Sequence, residues 1–540
     1  NGGLYSYQPL TKIKKRIFQN SNYISNLSLG KNEGIIFIEQ AGNIIKINSK
    51  TGSFEQITNF SKNKTREEIK KEKSFLSDQQ EELFQFIKDS EKRKEWYNAK
   101  NKLVKKNFPK SFGTGKNIQN LSPNPNEKFV TFTEGTEPDA KSEIMERWIT
   151  NDGYNQSENS KDKVSLKNLY PIRFGIYNTE KDSAYFVDFS KLNGIKIQPK
   201  YFEDYKKENK EERYISFGKT NYSKDGNYAI LDIRSQDNKD RWIVNLNLEK
   251  GTFEEIDHQH DEAWIGGPGI PSYSYLGKNL DFLGDNSTIY FQSEKTGFSH
   301  LYTYNLAKKE LKQITSGNWE VRDVTLSKDK KNFYLSTNTT HPGNRDFYKI
   351  SVDGGKMIPI FTEDGNHEVS LSPDEKKLLV RYSYKNKPWE IYWSNNVPNA
   401  KKTQITSSLT PEFKNYNWQK PEVISFTAND GKTIYARLYQ PENSVKNNAA
   451  IIFVHGAGYL QNAHNWWSNY FREYMFHNLL IEKGFTVLDI DYRASDGYGR
   501  DHRTGIYRFM GDKDLSDQID GKNLLVSKYG IDTKKVGIYG

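Results

Sequence analysis

The 540-residue sequence contains no cysteine. Without cysteine the chain can form no disulfide bond, no thiolate metal site and no cysteine nucleophile. It also lacks any apolar run that approaches the roughly 20 residues of a membrane-spanning helix, and its mean hydropathy is -0.87, so we expect no membrane span. No signal peptide is visible at Asn1, where NGGLYSYQPL reads like the middle of a longer chain, and a processed or truncated start is expected.

The positive charge of the chain is dispersed rather than concentrated. Its 79 Lys and Arg residues exceed its 69 Asp and Glu residues, which gives a formal net charge of +10. A nucleic-acid-binding surface would need these cations clustered on one face or in one segment. Lysine is instead interspersed with Asp and Glu throughout, which indicates a solvated lysine-rich surface, and we expect no nucleic-acid partner.

Residues 1–415 consist of short β-strand patterns separated by polar turns, and one phrase recurs among them. A serine is followed by a turn with Asp or Asn and then by an apolar strand, as in SPNPNEKFVTF, SKDGNYAILDI, SKDKKNFYLST and SPDEKKLLVRY. The last two begin 45 residues apart, at Ser327 and Ser372. Three or four strands at this period predict a β-propeller, because an array of β-sandwiches would need longer repeats and linkers. Seven units are recognisable, and we favour eight blades, with the ends of the segment contributing one.

One segment interrupts this pattern. Residues 65–106 are highly charged and helical in pattern, with a capping box at Ser77 and apolar residues on one face. We predict a helical insertion between two blades that packs on the rim of the propeller. A flap over a substrate entrance is the functional alternative.

Residues 416–540 change to the pattern of a parallel sheet. The apolar run from Ile451 leads into the glycine-rich loop His455-Gly456-Ala457-Gly458, a helix follows, and FTVLDIDY forms a second buried strand. A second helix leads to VGIYG, which ends at Gly540. Alternating strands and helices predict a sheet covered on both faces, with chemistry at the carboxyl ends of its strands. We predict the N-terminal part of an α/β-hydrolase domain.

The last strand fits the approach to a nucleophile elbow, G-x-S-x-G. Gly540 would be the first glycine of the elbow, which places the nucleophilic serine two residues after Gly540. The Asp and His of a catalytic triad follow later in the chain order of this fold. We therefore assign no catalytic triad residue within the 540 residues, and the hydrolase domain is expected to be incomplete.

A specific resemblance supports this interpretation. The stretch DIDYRASDGYGRDHRTGIYRFMGDKDLSDQIDGKNLLVSKYGIDTKKVGIYG, with Ala494 where a glycine is usual, resembles the prolyl oligopeptidase superfamily of serine peptidases, family S9, in its dipeptidyl-peptidase-IV-like branch. The phrase SEKTGFSHLYTYNL resembles the propeller of that branch. The resemblance implies an eight-bladed propeller on an α/β-hydrolase domain. It also implies a peptidase that cleaves short peptides, with cleavage after Pro or Ala, in the periplasm or outside the cell.

The resemblance also assigns roles to residues of the last strands. The family has a tyrosine or a His-Gly-Gly-Pro sequence after the first parallel strand, which implies an oxyanion loop at His455, Gly456 and Tyr459. Asp491 and Arg493 are expected to brace the loops around the elbow, and Arg500 and Arg503 could do the same. Trp466, Trp467 and Tyr470 are expected to be core packing beside the first hydrolase helix.

Several other features leave alternatives open. Dipeptidyl peptidases of this type hold the substrate amine with adjacent glutamates, whereas Glu143 and Glu146 are not adjacent, so dipeptidyl and oligopeptidase cleavage both remain open. His258 and His260 are metal-ligand residue types without a third ligand, and we predict no metal and no cofactor. A peptide substrate is the expected partner, with a homodimer or association with a further C-terminal part as options. A non-catalytic binding or assembly subunit is the alternative function.

Overall fold

The structure is a computed structural model of the chain. It describes residues 2–8, 13–20, 24–32, 34–61, 96, 112–113, 115–136, 142–162, 169–205, 213–271, 279–457 and 459–540. The chain forms two compact units, Asn1–His258 and Gln259–Gly540. Apart from Trp96, the predicted helical insertion at 65–106 lies outside the described residues.

The first unit is built from short strands that pair almost entirely antiparallel, with one parallel pair, β7 with β8. The strands are β1 (Gly2–Gln8), β2 (Ile13–Asn20), β3 (Ser25–Leu29), β4 (Ile35–Gln40), β5 (Asn43–Asn48), β6 (Phe54–Gln56), β7 (Phe60–Ser61), β8 (Phe112–Gly113), β9 (Asn117–Pro123), β10 (Phe129–Gly135), β11 (Ser142–Arg147), β12 (Gln156–Asp162), β13 (Ile172–Asn178), β14 (Ser183–Phe186), β15 (Ile215–Phe217), β16 (Asn221–Tyr222), β17 (Ala229–Ser235), β18 (Asp240–Asn247) and β19 (Thr252–His260). A 3-10 helix occupies Lys200–Tyr205.

Three sheets of this unit have the up-and-down order of propeller blades. Their strand orders are β3-β4-β5-β6, β9-β10-β13-β14 and β15-β17-β18-β19, with β16 paired to β17. The inner strands carry nearly continuous apolar runs because both of their faces are buried, as in β17 and β18. One apolar cluster joins Phe174 of β13 to Trp242 of β18, so neighbouring sheets share a core.

The second unit begins with three more four-stranded antiparallel sheets, each formed by four consecutive strands. Their strands are β20 (Asp281–Phe282), β21 (Thr288–Ser293), β22 (His300–Asn305), β23 (Glu310–Gln313), β24 (Val321–Leu326), β25 (Asn332–Thr337), β26 (Asp346–Ser351), β27 (Ile358–Phe361), β28 (Asn366–Leu371), β29 (Lys377–Tyr384), β30 (Lys387–Asn395) and β31 (Thr403–Gln404). The six fully antiparallel sheets of four or five strands, three in each unit, are called the blade sheets below.

The serine phrase that recurs in the sequence has a simple structural cause. The Ser327 hydroxyl donates to the Asp329 carboxylate (Oγ to Oδ1, 2.6 Å) and accepts from the Asn332 N–H (3.0 Å). Ser372 donates to Asp374 at the same distance of 2.6 Å. Each serine therefore stabilises the tight turn that leads into the second strand of a blade sheet.

A mixed five-stranded sheet with helices completes the second unit. Its strand order is β32-β33-β35-β34-β36, in which β34 runs parallel to β35 and to β36 and the other neighbours are antiparallel. The elements are α1 (Pro411–Asn415), β32 (Glu422–Thr427), β33 (Thr433–Tyr439), β34 (Ala450–Phe453), α2 (Phe471–Glu482), β35 (Thr486–Asp491), α3 (Arg500–Arg503), α4 (Lys513–Tyr529) and β36 (Val536–Tyr539). The three parallel strands predicted from the sequence are therefore present as neighbours.

The core of the mixed sheet is formed by the apolar strand residues that the sequence pattern predicts to be buried. Strand β35 lies between β33 and β34 and is buried along its whole length, which suits its apolar run. Its residues Leu488 and Ile490 pack against Leu525 of α4. The predicted boundary at 415/416 falls between the last blade sheet and the mixed sheet and stays a prediction. Among the described residues, no helix is long and apolar enough to span a membrane.

Candidate active site

The glycine loop predicted as part of an active site follows β34, beside the end of β36. Phe453 pairs with Tyr539, and the Val454 N–H donates to the Tyr539 carbonyl (2.9 Å). Gly540 therefore lies beside Val454, and a Cβ atom added at Gly540 would come within 2.2 Å of the Val454 carbonyl oxygen. Since the contact is with backbone, which cannot move aside as a flexible side chain can, this position requires glycine. That requirement is typical of the first glycine of a nucleophile elbow.

His455 follows this strand, and its side chain turns inward. It is 2% exposed, with Nε2 3.0 Å from Asp491 Oδ1 and Nδ1 3.1 Å from the Gly456 carbonyl oxygen. Burial opposes a charged imidazole, but the hydrogen bond to Asp491 and the charge of Asp491 outweigh it and raise the pKa of His455. Both ring nitrogens of His455 are in contact with protein groups, so the ring is not available to donate to an oxyanion. The oxyanion role predicted for this loop therefore depends on its other hydrogen-bond donors and stays a prediction.

Asp491 is the centre of the hydrogen bonds around the glycine loop. Its Oδ1 accepts from His455 Nε2 and from the Asn462 N–H (2.7 Å), and its Oδ2 accepts from the Ala463 N–H (3.0 Å) and the Tyr498 hydroxyl (2.6 Å). The side chain is fully buried, yet both oxygens are satisfied. Asp491 thus ties the start of the glycine loop and the segment beyond the loop to the end of β35, and its predicted bracing role stays a prediction.

Asp489 lies two residues earlier on the same face of β35 and is also buried. Its carboxylate accepts from the Asn462 side-chain amide. Burial raises the pKa of Asp489 to about 7, and Asp491 adds to this against the opposing charges of His455 and Arg437. Near neutral pH this carboxyl therefore carries a proton for part of the time.

Arg493 forms a cluster with the buried Asp517 and the exposed Asp430, and the three residues are called the sheet cluster below. The Arg493 side chain donates to both oxygens of Asp517 (Nε to Oδ2, 3.0 Å; Nη2 to Oδ1, 2.5 Å) and also to Asp430. Burial opposes the charge, but the hydrogen bonds to Asp517 and Asp430 raise the pKa of Arg493. The cluster joins the end of β35 to α4 and to the turn between β32 and β33, as expected of the predicted brace.

The exposed edge of the glycine loop carries a donor that the sequence pattern did not reveal. The Gly456 N–H donates to the Tyr470 hydroxyl (3.2 Å). Since this hydroxyl accepts from the loop, its own hydrogen remains to be donated elsewhere. The sequence had suggested only a packing role for Tyr470, and its ring does pack on Phe453 at 5.5 Å between centroids. The hydroxyl nevertheless lies at the loop that the sequence singled out.

A second group of buried charges joins two blade sheets to the loop between β35 and α4, and its five members are called the blade cluster below. Arg503 donates to both oxygens of Glu294, each at 2.6 Å. Arg322 donates to Asp496 (Nη1 to Oδ1, 2.9 Å) and to Glu320 (3.0 Å). Arg503 was predicted as a possible brace, whereas no sequence pattern indicated that Glu294 and Asp496 would be the partners of these arginines.

The carboxylates of the blade cluster have divergent proton affinities. Burial raises the pKa of Glu294 to about 7, against the charge of Arg503. Burial also raises the pKa of Glu320. Burial alone would raise the pKa of Asp496 too, but the charge and hydrogen bonds of Arg322 outweigh it and lower that pKa to about 2. Three carboxylates share two arginines here, so one of them can bind a proton near neutral pH.

Tyr459, the other residue predicted for the oxyanion loop, lies on the side of the blade cluster. Its backbone has a φ of 75°, and its ring centroid is 6.1 Å from that of Trp264. Burial raises the pKa of Tyr459, and the charges of Arg503 and Glu294 act on it in opposite directions. The structure therefore brings His455, Gly456, Asp491 and Arg493 to one edge of the sheet and turns Tyr459 towards the blade cluster.

Three of the remaining candidates lie in the first unit. The His258 ring donates from Nε2 to the Asp240 carboxylate (2.8 Å) and stacks on Trp242 with 5.3 Å between ring centroids, as a packed structural histidine does. Glu143 and Glu146 lie on β11, which pairs with β12 as an exposed hairpin. These glutamates are therefore on an exposed strand and are not adjacent.

Comparisons with known proteins agree with this architecture. The family model described as the dipeptidyl peptidase IV (DPP IV) N-terminal region matches residues 167–389, and that of the prolyl oligopeptidase family matches residues 471–540. Dipeptidyl peptidase 8 of Homo sapiens is 25% identical over 288 residues, which are 46% of this chain and 32% of that protein. Dipeptidyl peptidase 4 of Trichophyton equinum is 23% identical over 307 residues, 55% of this chain and 39% of that protein. The chain thus spans well under half the length of these relatives.

The crystal structure of Porphyromonas gingivalis dipeptidyl peptidase 4 is similar in fold. It superposes with a TM-score of 0.67 at 14% sequence identity and covers 100% of this chain and 67% of that one. The likeness confirms a fold with a propeller followed by a hydrolase domain, without fixing the number of blades. The two family matches, the relatives and this shared fold agree with the motifs around Asp489–Gly540. Together, the family matches and the named relatives support a member of serine peptidase family S9, the prolyl oligopeptidase superfamily, in its dipeptidyl-peptidase-IV-like branch.

Proposed function

We propose that the full-length protein is a serine peptidase that cleaves short peptides. The observation that supports this most strongly is the close approach of Gly540 to Val454, which leaves room for glycine alone. The elbow motif places its serine two residues after Gly540, at the turn that follows β36. A serine there would sit at the carboxyl end of β36, next to the exposed edge of the glycine loop.

In this mechanism the serine attacks the peptide carbonyl, with a histidine base and an aspartate that follow later in the chain. The negative charge then develops on the carbonyl oxygen beside the glycine loop. The Tyr470 hydroxyl and the backbone N–H groups of the loop are the donors we propose for it. A donor placed at such an oxygen contributes on the order of 3 kcal/mol to the transition state.

The finer features of the activity are also proposals. The names of the relatives support removal of dipeptides. Cleavage after Pro or Ala is what the family resemblance implies, and eight blades remain the arrangement we favour. Glu143 and Glu146 lie on an exposed hairpin and give no support to an amine clamp in that segment. Oligopeptidase cleavage therefore remains the alternative to dipeptide release.

Hydrolysis of Gly-Pro-p-nitroanilide by the full-length protein tests the proposal, with the N-acetylated substrate as the matched control. Dipeptide release requires a free amine, so we expect only the unmodified substrate to be cleaved. Cleavage of both would identify an oligopeptidase. Failure to cleave either, together with failure to react with a fluorophosphonate, would contradict the proposal and favour a binding subunit. In an active enzyme, Tyr470→Phe should lower kcat by about 100-fold.

A further inference from the structure

The loop between β25 and β26, residues 338–345, lies against the chain that follows the glycine loop, and we call it the blade loop. The Asn465 N–H donates to the Gly343 carbonyl (2.8 Å), and the Asn465 side chain donates to Asn344 Oδ1 (2.9 Å). A Cβ atom added at Gly343 would lie 2.7 Å from the Ala463 carbonyl oxygen. The two backbones are therefore in direct contact, and displacement of the blade loop would displace the segment beyond the glycine loop.

Arg345 ends the blade loop and is fixed in one orientation. It is 8% exposed, and its guanidinium lies over the Trp466 ring, 4.8 Å from the centroid. Nη1 donates to the carbonyls of Pro342 (3.2 Å) and Asn344 (2.8 Å), whereas Nη2 donates to Gln461 Oε1 (2.7 Å). The planar fork of the guanidinium thus connects the blade loop to a residue of the mixed-sheet loops.

Gln461 accepts this hydrogen bond and contacts further residues on both sides of it. Its Nε2 donates to the Pro342 carbonyl (3.0 Å), so both ends of its amide are bound to the blade loop. Its amide lies near the Tyr498 hydroxyl, which donates to Asp491 (2.6 Å), and the next residue, Asn462, donates its backbone N–H to Asp491 Oδ1 (2.7 Å). Asp491 in turn binds His455 at the start of the glycine loop. A connected series of contacts therefore leads from the blade loop to the candidate oxyanion loop.

We propose that Arg345 and Gln461 are positioning residues for the peptidase reaction. They act through Tyr498 and Asp491 and set the position of the glycine loop from the blade loop. This series of five residues, with His455 at its end, is called the blade relay. The inference rests on the proposed function, because it names the residues that place the oxyanion donors of that reaction.

The blade relay predicts a characteristic kinetic change. Oxyanion donors act on charge that exists only in the transition state, so their displacement lowers kcat while substrate binding is retained. A shift of about 1 Å in such a group can cost about 100-fold in rate. We expect roughly a 10- to 50-fold loss of kcat when Arg345 or Gln461 is replaced, with KM within about twofold.

The test uses the full-length protein and the peptide anilide that the wild type cleaves. The relay variants are Arg345→Met, Gln461→Leu and Tyr498→Phe, and Arg345→Lys is the conservative variant. Arg381→Met is the control, because Arg381 pairs with Glu368 on a neighbouring blade sheet (2.6 Å and 2.7 Å) outside the relay. The thermal midpoint of each variant is measured first, and kinetics are determined at least 15 °C below the lowest midpoint, so that folded protein is compared.

The proposal predicts that kcat falls in the relay variants, that Arg345→Lys recovers part of it and that Arg381→Met retains it. In a double-mutant cycle, Arg345→Met with Tyr498→Phe should lose less than the product of the two single losses, because both interrupt one series. Equal kcat in wild type and Arg345→Met, or a loss confined to KM, would overturn it. An inactive wild type that also fails to react with a fluorophosphonate would instead refute the proposed function.

Discussion

The sheet cluster and the blade cluster each contain one more carboxylate than arginine, yet they differ in burial. In the sheet cluster, Arg493 donates to both oxygens of Asp517, and the second carboxylate, Asp430, is exposed. In the blade cluster all three carboxylates are buried, and the pKa of Glu294 rises to about 7. The pKa of Arg493 is raised and that of Asp430 is lowered, so these two groups stay charged across the neutral range, whereas the blade cluster exchanges a proton within it.

The difference follows from where the partners originate. Arg493 is bonded to side chains of its own mixed sheet, whereas Arg503 and Arg322 connect the loop beyond β35 to blade sheets. The excess carboxylate is costly in the buried blade cluster, whereas the exposed Asp430 of the sheet cluster keeps contact with water. We therefore expect the junction with the blades to respond to pH and the brace within the sheet to respond little.

The largest effect is expected from loss of the sheet cluster. Arg493→Met leaves Asp517, which is fully buried, without its cation. We expect the free energy of unfolding to fall by about 3–5 kcal/mol, as it does when one partner of a buried ion pair is removed. Urea unfolding followed by tryptophan fluorescence measures this loss.

Arg500→Met is the matched control for that substitution. The Arg500 side chain is 29% exposed in its contacts with Asp261 and Asp501, and its loss should cost less than about 1 kcal/mol. Similar losses for Arg493→Met and Arg500→Met would remove the distinction between a buried brace and surface charge.

A smaller, pH-dependent effect is expected when the blade cluster loses its arginine. Arg503→Met leaves Glu294 without its bidentate partner, but this carboxyl already binds protons readily. At pH 8 we expect Arg503→Met to lower the free energy of unfolding by about 2–3 kcal/mol. At pH 6 the loss should be smaller, because the protonated Glu294 carboxyl needs no cation. Thermal midpoints of variant and wild type at the two pH values test this, and an equal cost at both would contradict it.

Replacement of the glutamate isolates its proton uptake. The pKa of Glu294 is about 7 in the folded chain and near 4.5 when unfolded, so folding favours the protonated form. Its contribution to stability is complete below pH 4.5 and is lost as the pH rises to 7. Relative to that of Glu294→Gln, the free energy of unfolding of the wild type should fall by on the order of 2–3 kcal/mol between pH 5 and pH 8.

The measurement is the difference between the two proteins at each pH, because buried histidines such as His464 and His477 have lowered pKa values and shift stability in the opposite direction. These histidines are common to both proteins and cancel in the difference. A difference that stays constant from pH 5 to pH 8 would show that Glu294 does not titrate in this range.

The smallest effect is expected at Asp489. Near pH 6 this carboxyl is mostly protonated, so Asp489→Asn should change the free energy of unfolding by less than about 1 kcal/mol. Asp491→Asn is the matched comparison. Its NH2 group would replace an oxygen that accepts hydrogen bonds and would therefore face donors, so we expect the free energy of unfolding to fall by about 1–3 kcal/mol. Chemical denaturation at pH 6 compares the two, and a larger loss for Asp489→Asn would contradict the assignment.

Much of the fold could be predicted because local chemistry determines it. The turn at Ser327 and Asp329 is readable from adjacent residues, and so is the order of the parallel strands that leads to Gly540. A partner for Arg493 could be predicted because the residue stands next to a buried strand end, where a charged side chain must find a partner. Its bracing role stays a prediction. The blade count and the domain boundary at 415/416 stay predictions.

The parts that sequence did not reveal depend on distant partners. Glu294 and Arg503 are 209 residues apart, and no periodicity or spacing connects them. The inward turn of His455 was also hidden, because the pattern places a histidine after the strand without stating which group will bind its ring. Tyr470 fitted an apolar helix face, and only the fold brings its hydroxyl to Gly456.

The most direct test of the central claim is to treat the full-length protein with a fluorophosphonate and locate the modified residue by peptide mass spectrometry. A serine peptidase with the elbow inferred here should be modified at one serine, the second residue after Gly540, with loss of peptidase activity. Modification of a serine within residues 1–540, or the absence of any modification in a folded protein, would contradict the assignment.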